Sequence, residues 1–278
     1  MVEMKQEEFR LIQEFVNEQF GLILSEDKAG SLANKLTPRL VDLRLSSITD
    51  YYYHLKFSQD NKSEHHNLIS LLTNNETYFF REDAQLKVLA ESVLPAIKEN
   101  RMRKKDRRIR IVSAGCSSGE EAYTLAMILL ESGQFLWEWD VQVIGVDIDQ
   151  AVIAKAEEGI YGGRSVSVTP PQLLERYFRK EGDGYRVKEV LRRITSFRQV
   201  NLLEFTDHFA EDSLDIIFCR NVVIYFNDNT VRETVEGFAK ALRPDGYLFL
   251  GHSESLARIT KLYEPLRFTG AVIYQTRQ

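Results

Sequence analysis

Apolar positions in the first 75 residues recur at helical spacing, and no alternating pattern typical of a strand is found there. Between residues 5 and 20 one helical face carries Phe9, Ile12, Phe15, Val16 and Phe20. This spacing matches the three-to-four residue period of an amphipathic helix with one buried face. The sequence therefore predicts that the chain starts with a helix packed on other helices.

Further helices are predicted along the rest of this segment. Ser25 is a residue type favoured at N-caps, and two acidic residues follow it. The helix that begins there should run to about Leu43, with a bend or break at Pro38 because proline cannot donate the helical hydrogen bond. Two shorter helices are predicted at 48–57 and 64–73. The pattern thus predicts an all-α N-terminal domain.

A different pattern begins after Arg81. Residues 84–100 read as an amphipathic helix, and strand-like and helix-like segments alternate beyond it. The predicted strands are 109–115, 141–149, 194–202, 214–221 and 247–253, with at least one more in 268–277. The predicted helices among them are 119–132, 150–159 and about 229–242. Such alternation is typical of an α/β fold with a doubly wound, mostly parallel sheet.

Three segments interrupt this alternation. Residues 177–200 hold a Gly-Asp-Gly turn between short alternating stretches, which favours a small antiparallel β insert, with an extended surface loop as the alternative. Arg-Pro-Asp-Gly at 243–246 has turn chemistry. The basic run at 101–110 is interpreted as a solvated linker that complements the C-terminus of the preceding helix.

Length and composition agree with two modest globular domains. The chain has 278 residues, of which 44% are hydrophobic and 28% charged, as in ordinary globular proteins. Residues 1–80 are predicted to form the all-helical domain and its linker. Residues 81–278 are predicted to form the α/β domain, with the β insert at about 177–197.

Charge, hydropathy and cysteine content exclude several classes of protein. The net charge of −5 argues against nucleic-acid binding driven by bulk charge. No apolar run is long enough to span a bilayer, and the N-terminus lacks the order of a secretory signal. Cys116 and Cys219 do not make a disulfide framework, so the expected compartment is a reducing cytoplasm.

The turn after the first predicted strand, at 114–121, is the first candidate for ligand binding, since parallel sheets bind ligands outside the carboxyl ends of their strands. Gly115 and Gly119 permit a tight turn and close approach of a ligand. The spacing is not GxGxxG, and a P-loop lysine is missing. Glu120 and Glu121 would oppose a phosphate but suit a cationic ligand; alternatively, both only complement the helix dipole.

Polar residues also follow the next three strands. By strand alternation Asp147 is the residue that could accept both hydroxyls of a ribose, whereas Asp149 is expected to cap the next helix. Asn201 ends the third strand with an amide able to read an adenine edge. Arg220 and Asn221 end the fourth strand. One asparagine at a strand end is usually a turn former, but polar groups on successive strand ends indicate a ligand site.

A glycine turn without phosphate-binding character, an acidic second strand and the segment "LRPDGYLFLG" are together similar to class I S-adenosylmethionine (SAM)-dependent methyltransferases. Further segments narrow this resemblance: "NNETYFFRED", "SAGCSSGEEAYTLAM", "VDID", "GIY", "VNLLE" and "FCRNVVIYF". With them the chain resembles the CheR-type chemoreceptor glutamate methyltransferases, in the same order from about residue 5 to the C-terminus. "FCRNVVIYF" and "NETYFFRE" are its most specific parts.

The resemblance implies a cofactor, a reaction and a partner. The cofactor is S-adenosyl-L-methionine, with S-adenosyl-L-homocysteine (SAH) as product, and the acceptors are glutamate side chains in the cytoplasmic helical bundle of chemoreceptors. We expect a monomer that binds no nucleic acid and no metal and does not insert into the membrane. A glutamate with a pKa of about 4.3 is ionised at neutral pH, so no general base is required. Two alternatives are a methyltransferase acting on RNA or a small molecule and a non-catalytic cofactor-binding adaptor.

The resemblance also implies roles for single residues. Implied cofactor contacts are Asn75, Thr77, Arg81, Gly115, Glu121 at the methionine amino group, Asp147 at the ribose, Asn201 and Leu202 at the adenine, and Arg220 and Asn221. Arg81 and Tyr225 are the implied catalytic residues, which should hold the acceptor carboxylate. Tyr78, Phe79 and Phe80 are expected to be packing residues of the linker that folds over the cofactor.

The second helix carries a basic face. Lys28, Lys35 and Arg39 fall in a narrow arc beside the apolar one, which by itself is typical of a solvated edge of a core helix. The resemblance implies instead that these three residues and Arg44 face the acidic receptor bundle. The turn "KEGDGY" in the insert is shorter than in relatives that grip a receptor tether, which favours a type working without one.

Overall fold

The computed structural model describes residues 4–58, 61–73, 75–135 and 138–277. Within these residues the chain divides into two compact units. The first unit contains residues 1–74 and 225–230, and the second contains 75–224 and 231–278.

The secondary structure follows the predicted order. The helices are α1 (Gln6–Phe20), α2 (Ala29–Asp42), α3 (Ile48–Phe57), α4 (Asn61–Leu72), α5 (Asp83–Val88), α6 (Leu94–Arg103), α7 (Glu120–Glu131), α8 (Gln150–Glu158), α9 (Pro171–Tyr177), α10 (Glu189–Arg192), α11 (Phe205–His208) and α12 (Asp228–Ala241). The strands are β1 (Arg108–Ala114), β2 (Asp140–Asp147), β3 (Ile160–Tyr161), β4 (Phe178–Glu181), β5 (Gly184–Val187), β6 (Thr195–Gln199), β7 (Leu214–Cys219), β8 (Leu242–Leu250), β9 (Tyr263–Phe268) and β10 (Ala271–Thr276). None of the helices in the described residues has the length and hydropathy needed to cross a bilayer.

The first unit is built from α1 to α4. The apolar face predicted for α1 is buried in full, and Pro38 lies inside α2 without ending it. A buried polar cluster joins three of the helices: the Glu64 carboxylate accepts two hydrogen bonds from the Arg39 guanidinium, at 3.0 and 2.5 Å, and one from the Tyr51 hydroxyl at 2.7 Å. Burial would raise the pKa of Glu64, but these bonds outweigh it and lower the pKa.

The second unit is built on a seven-stranded sheet with the order β6-β2-β1-β7-β8-β10-β9. The neighbours β6, β2, β1, β7 and β8 are parallel, and β10 is antiparallel to both β8 and β9. All six residues of β7, the central strand, are buried, as expected for a strand covered on both faces. The predicted α/β class and mostly parallel sheet are confirmed.

The β insert is a separate three-stranded sheet with the order β3-β5-β4. Strands β4 and β5 form the antiparallel pair predicted around the Gly-Asp-Gly turn. The short strand β3, which follows α8, pairs with β5 and was not predicted. Two residues are too few to leave a periodic signal in the sequence.

The turn predicted at 243–246 lies inside a strand. Strand β8 extends from Leu242 to Leu250, and Asp245 within it has a left-handed φ of 75°. Its pairing with β7 shifts register here, from Leu214 opposite Leu242 to Ile216 opposite Tyr247. The turn chemistry therefore produces a bulge, which the sheet accommodates by continuing on both sides.

The interpretation of 101–110 as a solvated linker holds for 102–105 and 107–108, which are exposed, but fails for Arg101. Arg101 is buried and donates from Nε and Nη2 to Asp215 Oδ1, at 2.8 and 2.6 Å, while Arg243 Nη1 lies 3.3 Å from the same oxygen. Asp215 Oδ2 accepts the backbone N–H of Arg110 at 2.8 Å. These residues lie where β1, β7 and β8 begin, which we call the amino edge of the sheet. The charges of Arg101 and Arg243 are therefore neutralised by Asp215 inside the protein, whereas the basic side chains from Arg103 to Arg108 are exposed.

The amino edge also bears an open cleft of about 390 Å³. Its lining includes Arg108, Arg110, Arg198, His208 and Arg243. Among the described residues Arg198 has no carboxylate partner, and its guanidinium lies 5.2 Å from the centre of the Phe209 ring.

Candidate active site

The strand ends predicted to bind a ligand meet at one side of the sheet, which we call the carboxyl edge. Ala114 of β1 is level with Val146 of β2, Asp147 is level with Gln199 of β6, and Cys219 of β7 is level with Leu250 of β8. The segments that follow these strands therefore emerge side by side. In a doubly wound sheet this is the place where ligands bind.

The glycine turn after β1 is held by its own backbone. The N–H groups of Gly115 and Cys116 both donate to the Val146 carbonyl, at 2.8 and 2.9 Å. Gly115 has a left-handed φ of 75°, and a Cβ there would lie 2.3 Å from Cγ2 of Val222. Glycine is thus required both by the backbone conformation and by close packing against the segment that follows β7.

The two glutamates at the start of α7 have different environments. Glu120 is 3% exposed, and its carboxylate accepts hydrogen bonds from the hydroxyls of Ser118 and Ser165, at 2.8 and 2.7 Å. Glu121 accepts from the Ser113 hydroxyl at 2.6 Å and from Arg220 Nε at 2.6 Å. Neither side chain acts merely as a solvated complement to the helix dipole, which was the alternative interpretation of the sequence.

Arg220, expected at the cofactor, lies at the centre of a buried network. It donates from Nε to Glu121 and from Nη1 to the Arg81 carbonyl at 2.8 Å, and Nη1 lies 3.7 Å from Glu82 Oε2. Its guanidinium also lies 5.5 Å from the centre of the Phe218 ring. These bonds join the end of β7, the start of α7 and the segment before α5, so Arg220 helps to hold the carboxyl edge together.

Asp147 joins the turns that follow β1 and β2. Its Oδ2 accepts the N–H of Ser117 at 2.8 Å, and its Oδ1 accepts the N–H of Asp149 at 3.0 Å. Burial raises the pKa of Asp147 to about 6, and the backbone hydrogen bonds only partly oppose this. Each carboxylate oxygen has a second lone pair, so the side chain can still accept hydrogen bonds from a ligand.

The linker 75–82 is anchored to these turns. Asn75 Nδ2 donates to Asp149 Oδ2 at 3.0 Å, and the Asn75 carbonyl accepts the Ser117 hydroxyl at 3.0 Å. Asp149 also caps α8 by accepting the N–H of Ala151, as predicted. Thr77 is half-buried in the same segment. The linker thus belongs to the second unit and is tied to the turn after β2.

The three aromatic residues of the linker do not share one environment. Phe79 is fully buried in edge-to-face contact with Tyr161 and Phe178, and Phe80 packs half-buried against the same core. These two are packing residues, as expected. Tyr78 is 38% exposed, so the expectation that it packs inside is wrong. Its ring lies under Arg81, with 5.9 Å from the ring centre to the guanidinium carbon.

Arg81 is the cation of this segment that is left without an acidic partner. Nη1 donates to the Glu76 carbonyl at 3.3 Å, and the guanidinium stacks on Tyr78. Within the described part of the chain no carboxylate lies within ion-pair distance of it. By contrast, Arg220 is paired and buried. Of these two arginines, Arg81 is the one available to a negatively charged ligand.

After β6 the chain forms a short turn at Asn201 and Leu202. Asn201 Oδ1 accepts the N–H of Leu203 at 3.2 Å, and Leu202 is 7% exposed. The N–H of Val200, just before them, donates to the Asp147 carbonyl at 2.9 Å. This bond places the turn next to Asp147, as the predicted adenine and ribose contacts require.

Two features of the carboxyl edge were missed by the sequence reasoning. The Glu254 carboxylate, after β8, accepts four backbone N–H groups, including that of Asn221. Gln85 of α5 is 5% exposed and donates from Nε2 to the Leu250 carbonyl at 2.6 Å. An acidic residue directly after the strand predicted at 247–253 was the available signal for Glu254. No signal pointed to Gln85, whose partner lies 165 residues away.

In the described part of the chain, several acceptor atoms at this edge are buried without a hydrogen-bond donor, although Arg220 Nη1 lies 3.7 Å from one of them, Glu82 Oε2. Among the described residues, Asn221 Oδ1, Gln85 Oε1 and Glu82 Oε2 have no hydrogen-bond donor. Buried acceptors in this state are rare and call for an explanation such as a ligand. Together with the carboxylates of Glu121 and Asp147, they suit a ligand that carries N–H, O–H and positive charge. The residues present therefore fit SAM, which has a ribose, an amino group and a sulfonium but no phosphate.

Comparison with known proteins finds a matching family model for each of the two units. Residues 75–272 match the family described as CheR methyltransferase, SAM binding domain, and residues 7–73 match CheR methyltransferase, all-alpha domain. The chain belongs to the CheR methyltransferase family. The recognised family and the predicted SAM cofactor are thereby confirmed, and the chain is a SAM-dependent methyltransferase.

Relatives match this CheR-family protein over almost its whole length. It is 37% identical to chemotaxis protein methyltransferase 2 of Vibrio cholerae, over 96% of this chain and 92% of that one. It is 36% identical to the chemotaxis protein methyltransferase of Borreliella burgdorferi, over 91% and 89%. It is also 36% identical to chemotaxis protein methyltransferase 2 of Pseudomonas aeruginosa, over 96% and 92%.

The basic residues predicted to bind the substrate lie in the first unit of the CheR-family protein, and they differ in availability. Lys35 Nζ donates to the Leu71 carbonyl at 2.6 Å, near the end of α4, and Arg39 binds the buried Glu64. Lys28 and Arg44 are exposed, and Arg44 has a left-handed φ of 57°. Arg39 is thus paired inside the helical unit, whereas Lys35, although bonded to Leu71, is exposed like Lys28 and Arg44.

Tyr225, a predicted catalytic residue, is grouped with the first unit. It is half-buried, and its carbonyl accepts the N–H of Ile23 at 2.8 Å. An isolated antiparallel bridge between Leu22 and Phe226 accompanies this bond. The backbone of Tyr225 is therefore anchored beside the segment that follows α1.

Proposed function

We propose that this CheR-family protein transfers the methyl group of SAM to glutamate side-chain carboxylates of chemoreceptors, forming methyl esters in chemotactic adaptation. The observation that carries the proposal is the state of Arg81, a half-buried guanidinium with no carboxylate partner in the described part of the chain. Such a group can bind a carboxylate through two parallel N–H donors. The names of the relatives, chemotaxis protein methyltransferases, support the same choice of acceptor.

Methyl transfer to a carboxylate requires mainly that the protein orients the two reactants. Bound SAM supplies the methyl group on a positively charged sulfur. A glutamate carboxylate, with an ordinary pKa of about 4.3, is ionised at neutral pH, so no residue of this chain has to remove a proton. Holding two reactants in line can recover roughly 7–11 kcal/mol of a bimolecular barrier.

Arg81 is proposed to orient the acceptor carboxylate. It has to bind one carboxylate oxygen firmly enough to aim the other, because an oxygen that is fully neutralised attacks poorly. Its long 3.3 Å bond to Glu76 and its stacking on Tyr78 are contacts that an acceptor could supplement or replace. We also propose that the Tyr225 hydroxyl helps to hold the carboxylate, with a smaller contribution than Arg81.

The first unit is proposed to dock on the helical bundle of the receptor, which places the enzyme in the cytoplasm. Lys28, Lys35 and Arg44 are exposed, and Lys28 and Arg44 support this role best because no side-chain bond holds them within the described residues of the unit. Lys35 and Arg39 belong to the same predicted set, but each already makes a bond inside the unit. Lys28→Glu and Arg44→Glu should therefore raise the KM for receptor, with little change in kcat.

The proposal is tested with tritiated SAM and receptor-bearing membranes. Base-labile methyl release from the receptor protein is expected with the wild-type chain. Activity should be nearly lost in Arg81→Ala, reduced moderately in Tyr225→Phe, and unchanged in Arg267→Ala, which removes an exposed arginine on β9. Transfer only to RNA or to a metabolite would contradict the proposed acceptor. Binding of SAM without any transfer would indicate an adaptor and contradict the proposal as a whole.

A further inference from the structure

We propose that Glu254 is a positioning residue that fixes Asn221 at the carboxyl edge, and that cofactor affinity depends on it through Asn221. The proposal rests on the proposed assignment of Asn221 to the cofactor site and adds the residue that aims it. Neither the sequence pattern nor the family resemblance pointed to Glu254.

The Glu254 carboxylate is surrounded by backbone donors. Its Oε1 accepts the N–H groups of Val222 and Ile224, at 3.0 and 3.2 Å, and its Oε2 accepts those of Asn221 and Gly251, at 3.0 and 2.5 Å. The residue is 8% exposed. One buried side chain therefore determines where three of the four residues 221–224 place their backbone.

Among the described residues the negative charge of Glu254 is not neutralised by a cation. Among the described residues, no lysine, arginine or histidine lies within ion-pair distance of Glu254. Burial raises the pKa of Glu254, and the four backbone bonds only partly oppose this. Backbone N–H groups that converge on one anion can hold it without a counter-charge, but they do so only when their geometry is well defined. The carboxylate and the segment 221–224 thus fix each other.

Gly251 completes the group of backbone donors around the Glu254 carboxylate. We call this group, formed by Asn221, Val222, Ile224 and Gly251, the cradle. A Cβ at this position would lie 2.7 Å from Glu254 Oε2 and 2.9 Å from the Asn221 nitrogen, distances that real Cβ atoms essentially never show. The backbone at the end of β8 can therefore approach Asn221 this closely only because Gly251 has no side chain. Asn221 itself has a left-handed φ of 60°, which asparagine tolerates better than most residues.

Within the described part of the chain, the residue held by the cradle has a buried acceptor without a hydrogen-bond donor. Held in this way, Asn221 buries its side-chain oxygen without a hydrogen-bond donor among the described residues. The adjacent Val222 packs against Gly115 of the glycine turn. The four backbone bonds to Glu254 do not account for this unsatisfied atom, and buried acceptors in this state are rare. The geometry instead suits an oxygen that a ligand completes.

The test is a double-mutant cycle on the full-length chain, with SAH affinity measured by calorimetry. Glu254→Gln keeps the shape, but its amide NH2 has to face two backbone N–H groups, so the cradle is disturbed. We expect the dissociation constant for SAH to rise at least tenfold. Asn221→Gly removes the side chain in a residue that accepts a left-handed φ, and it should cause a similar loss. In the Asn221→Gly background, Glu254→Gln should add less than twofold.

A second variant keeps the carboxylate. Gly251→Ala places a methyl group against Glu254 and Asn221, and it should weaken SAH binding in the same way, again with less than twofold effect when Asn221 is already glycine. Glu211→Gln, an exposed residue of the same unit, is the matched control for loss of charge and should leave the affinity unchanged. Denaturant unfolding of each variant separates loss of fold from loss of affinity.

Each other outcome overturns the proposal. Wild-type affinity in both Glu254→Gln and Gly251→Ala would show that the cradle does not matter for the cofactor. Equal losses in the wild-type and Asn221→Gly backgrounds would show that Glu254 acts independently of Asn221. Unchanged affinity in Asn221→Gly alone would remove Asn221 from the cofactor site. None of these results would bear on methyl transfer to receptors, which the tritium assay measures separately.

Discussion

The two edges of the large sheet bury carboxylates in opposite ways. At the amino edge the Asp215 side chain is fully buried and is bound by the guanidinium groups of Arg101 and Arg243. At the carboxyl edge Glu254 is bound only by backbone N–H groups, and Asn221 beside it keeps an unpaired oxygen. The first arrangement leaves little polar capacity unused, whereas the second leaves acceptors that a ligand can satisfy.

Both edges carry charged groups, and they differ in how many of those groups are paired. Four arginines line the cleft at the amino edge, and three of them are paired with aspartates: Arg108 and Arg110 near the surface, and Arg243 inside the protein. At the carboxyl edge Arg81 has no acidic partner among the described residues. In the described part of the chain, an arginine without a carboxylate partner is thus found at both edges, Arg198 at one and Arg81 at the other. The candidate active site is distinguished by Arg81 together with the buried acceptors of Asn221 and Gln85, which lack hydrogen-bond donors within that part of the chain.

The largest expected effect is on catalysis at the carboxyl edge. Arg81→Ala should lower methyl transfer about 1,000-fold, equal to about 4 kcal/mol of activation free energy, because the acceptor loses its orienting group. The free energy of unfolding should change little, since Arg81 makes one long hydrogen bond. Tritium transfer and denaturant unfolding measure the two quantities. Near wild-type turnover would remove Arg81 from the site.

The next effect is on stability at the amino edge. Asp215→Asn leaves Arg101 and Arg243 buried without their shared anion, so the free energy of unfolding should fall by about 3 kcal/mol. Methyl transfer per folded molecule should be unchanged. The control is Asp140→Asn, which breaks an exposed ion pair with Arg110 at the same edge and should cost less than about 1 kcal/mol. Equal losses in both variants would contradict the contrast between the edges.

The pH dependence of stability should have opposite signs at the two edges. Burial raises the pKa of Asp147 from 3.8 to about 6, so the folded state binds this proton more tightly than the unfolded state does. Its contribution to stability is present below about pH 4 and is lost as the pH rises to about 6, at up to about 1.4 kcal/mol per pH unit. Glu254, whose pKa is also raised, adds to the same decline.

Asp106 at the amino edge should act the other way. A hydrogen bond from Arg108 lowers the pKa of Asp106, so the stability it contributes is present above its ordinary pKa and is lost as the pH falls through the lowered value. Unfolding free energies measured from pH 3 to 8 should lose their decline in Asp147→Asn and lose part of their rise in Asp106→Asn. A pH profile that neither substitution changes would contradict both assignments.

The smallest effect is expected in the cleft at the amino edge. Arg198→Ala should change SAH affinity and methyl transfer by less than twofold, because the cleft lies at the edge opposite the strand ends that meet at the candidate site. Loss of its contact with the Phe209 ring should cost about 0.5 kcal/mol of unfolding free energy. Calorimetry and unfolding check both numbers. A tenfold loss of affinity would mean that the amino edge takes part in binding.

Much of the fold could be predicted because its signals are local. The apolar face of α1, the alternation of strands and helices, and the Gly-Asp-Gly turn between β4 and β5 each depend on residues close together in the chain. The same holds for the cap that Asp149 forms on α8. Parallel strands also carry their end residues to one edge, so the polar groups at those ends could be expected to meet.

What the sequence determined by itself is therefore the order of the main helices and strands, the class of the sheet and many of the polar residues at its carboxyl edge, though not Glu254 or Gln85. Only the tertiary structure decided which of those residues are occupied and which are available. Arg220 and Glu121 are 99 residues apart and bind each other, and Glu254 reaches back 33 residues to Asn221. The physical reason is that a charge is neutralised by the groups that lie within a few ångströms of it in the folded chain. The periodic pattern of the sequence does not show which distant residues these are.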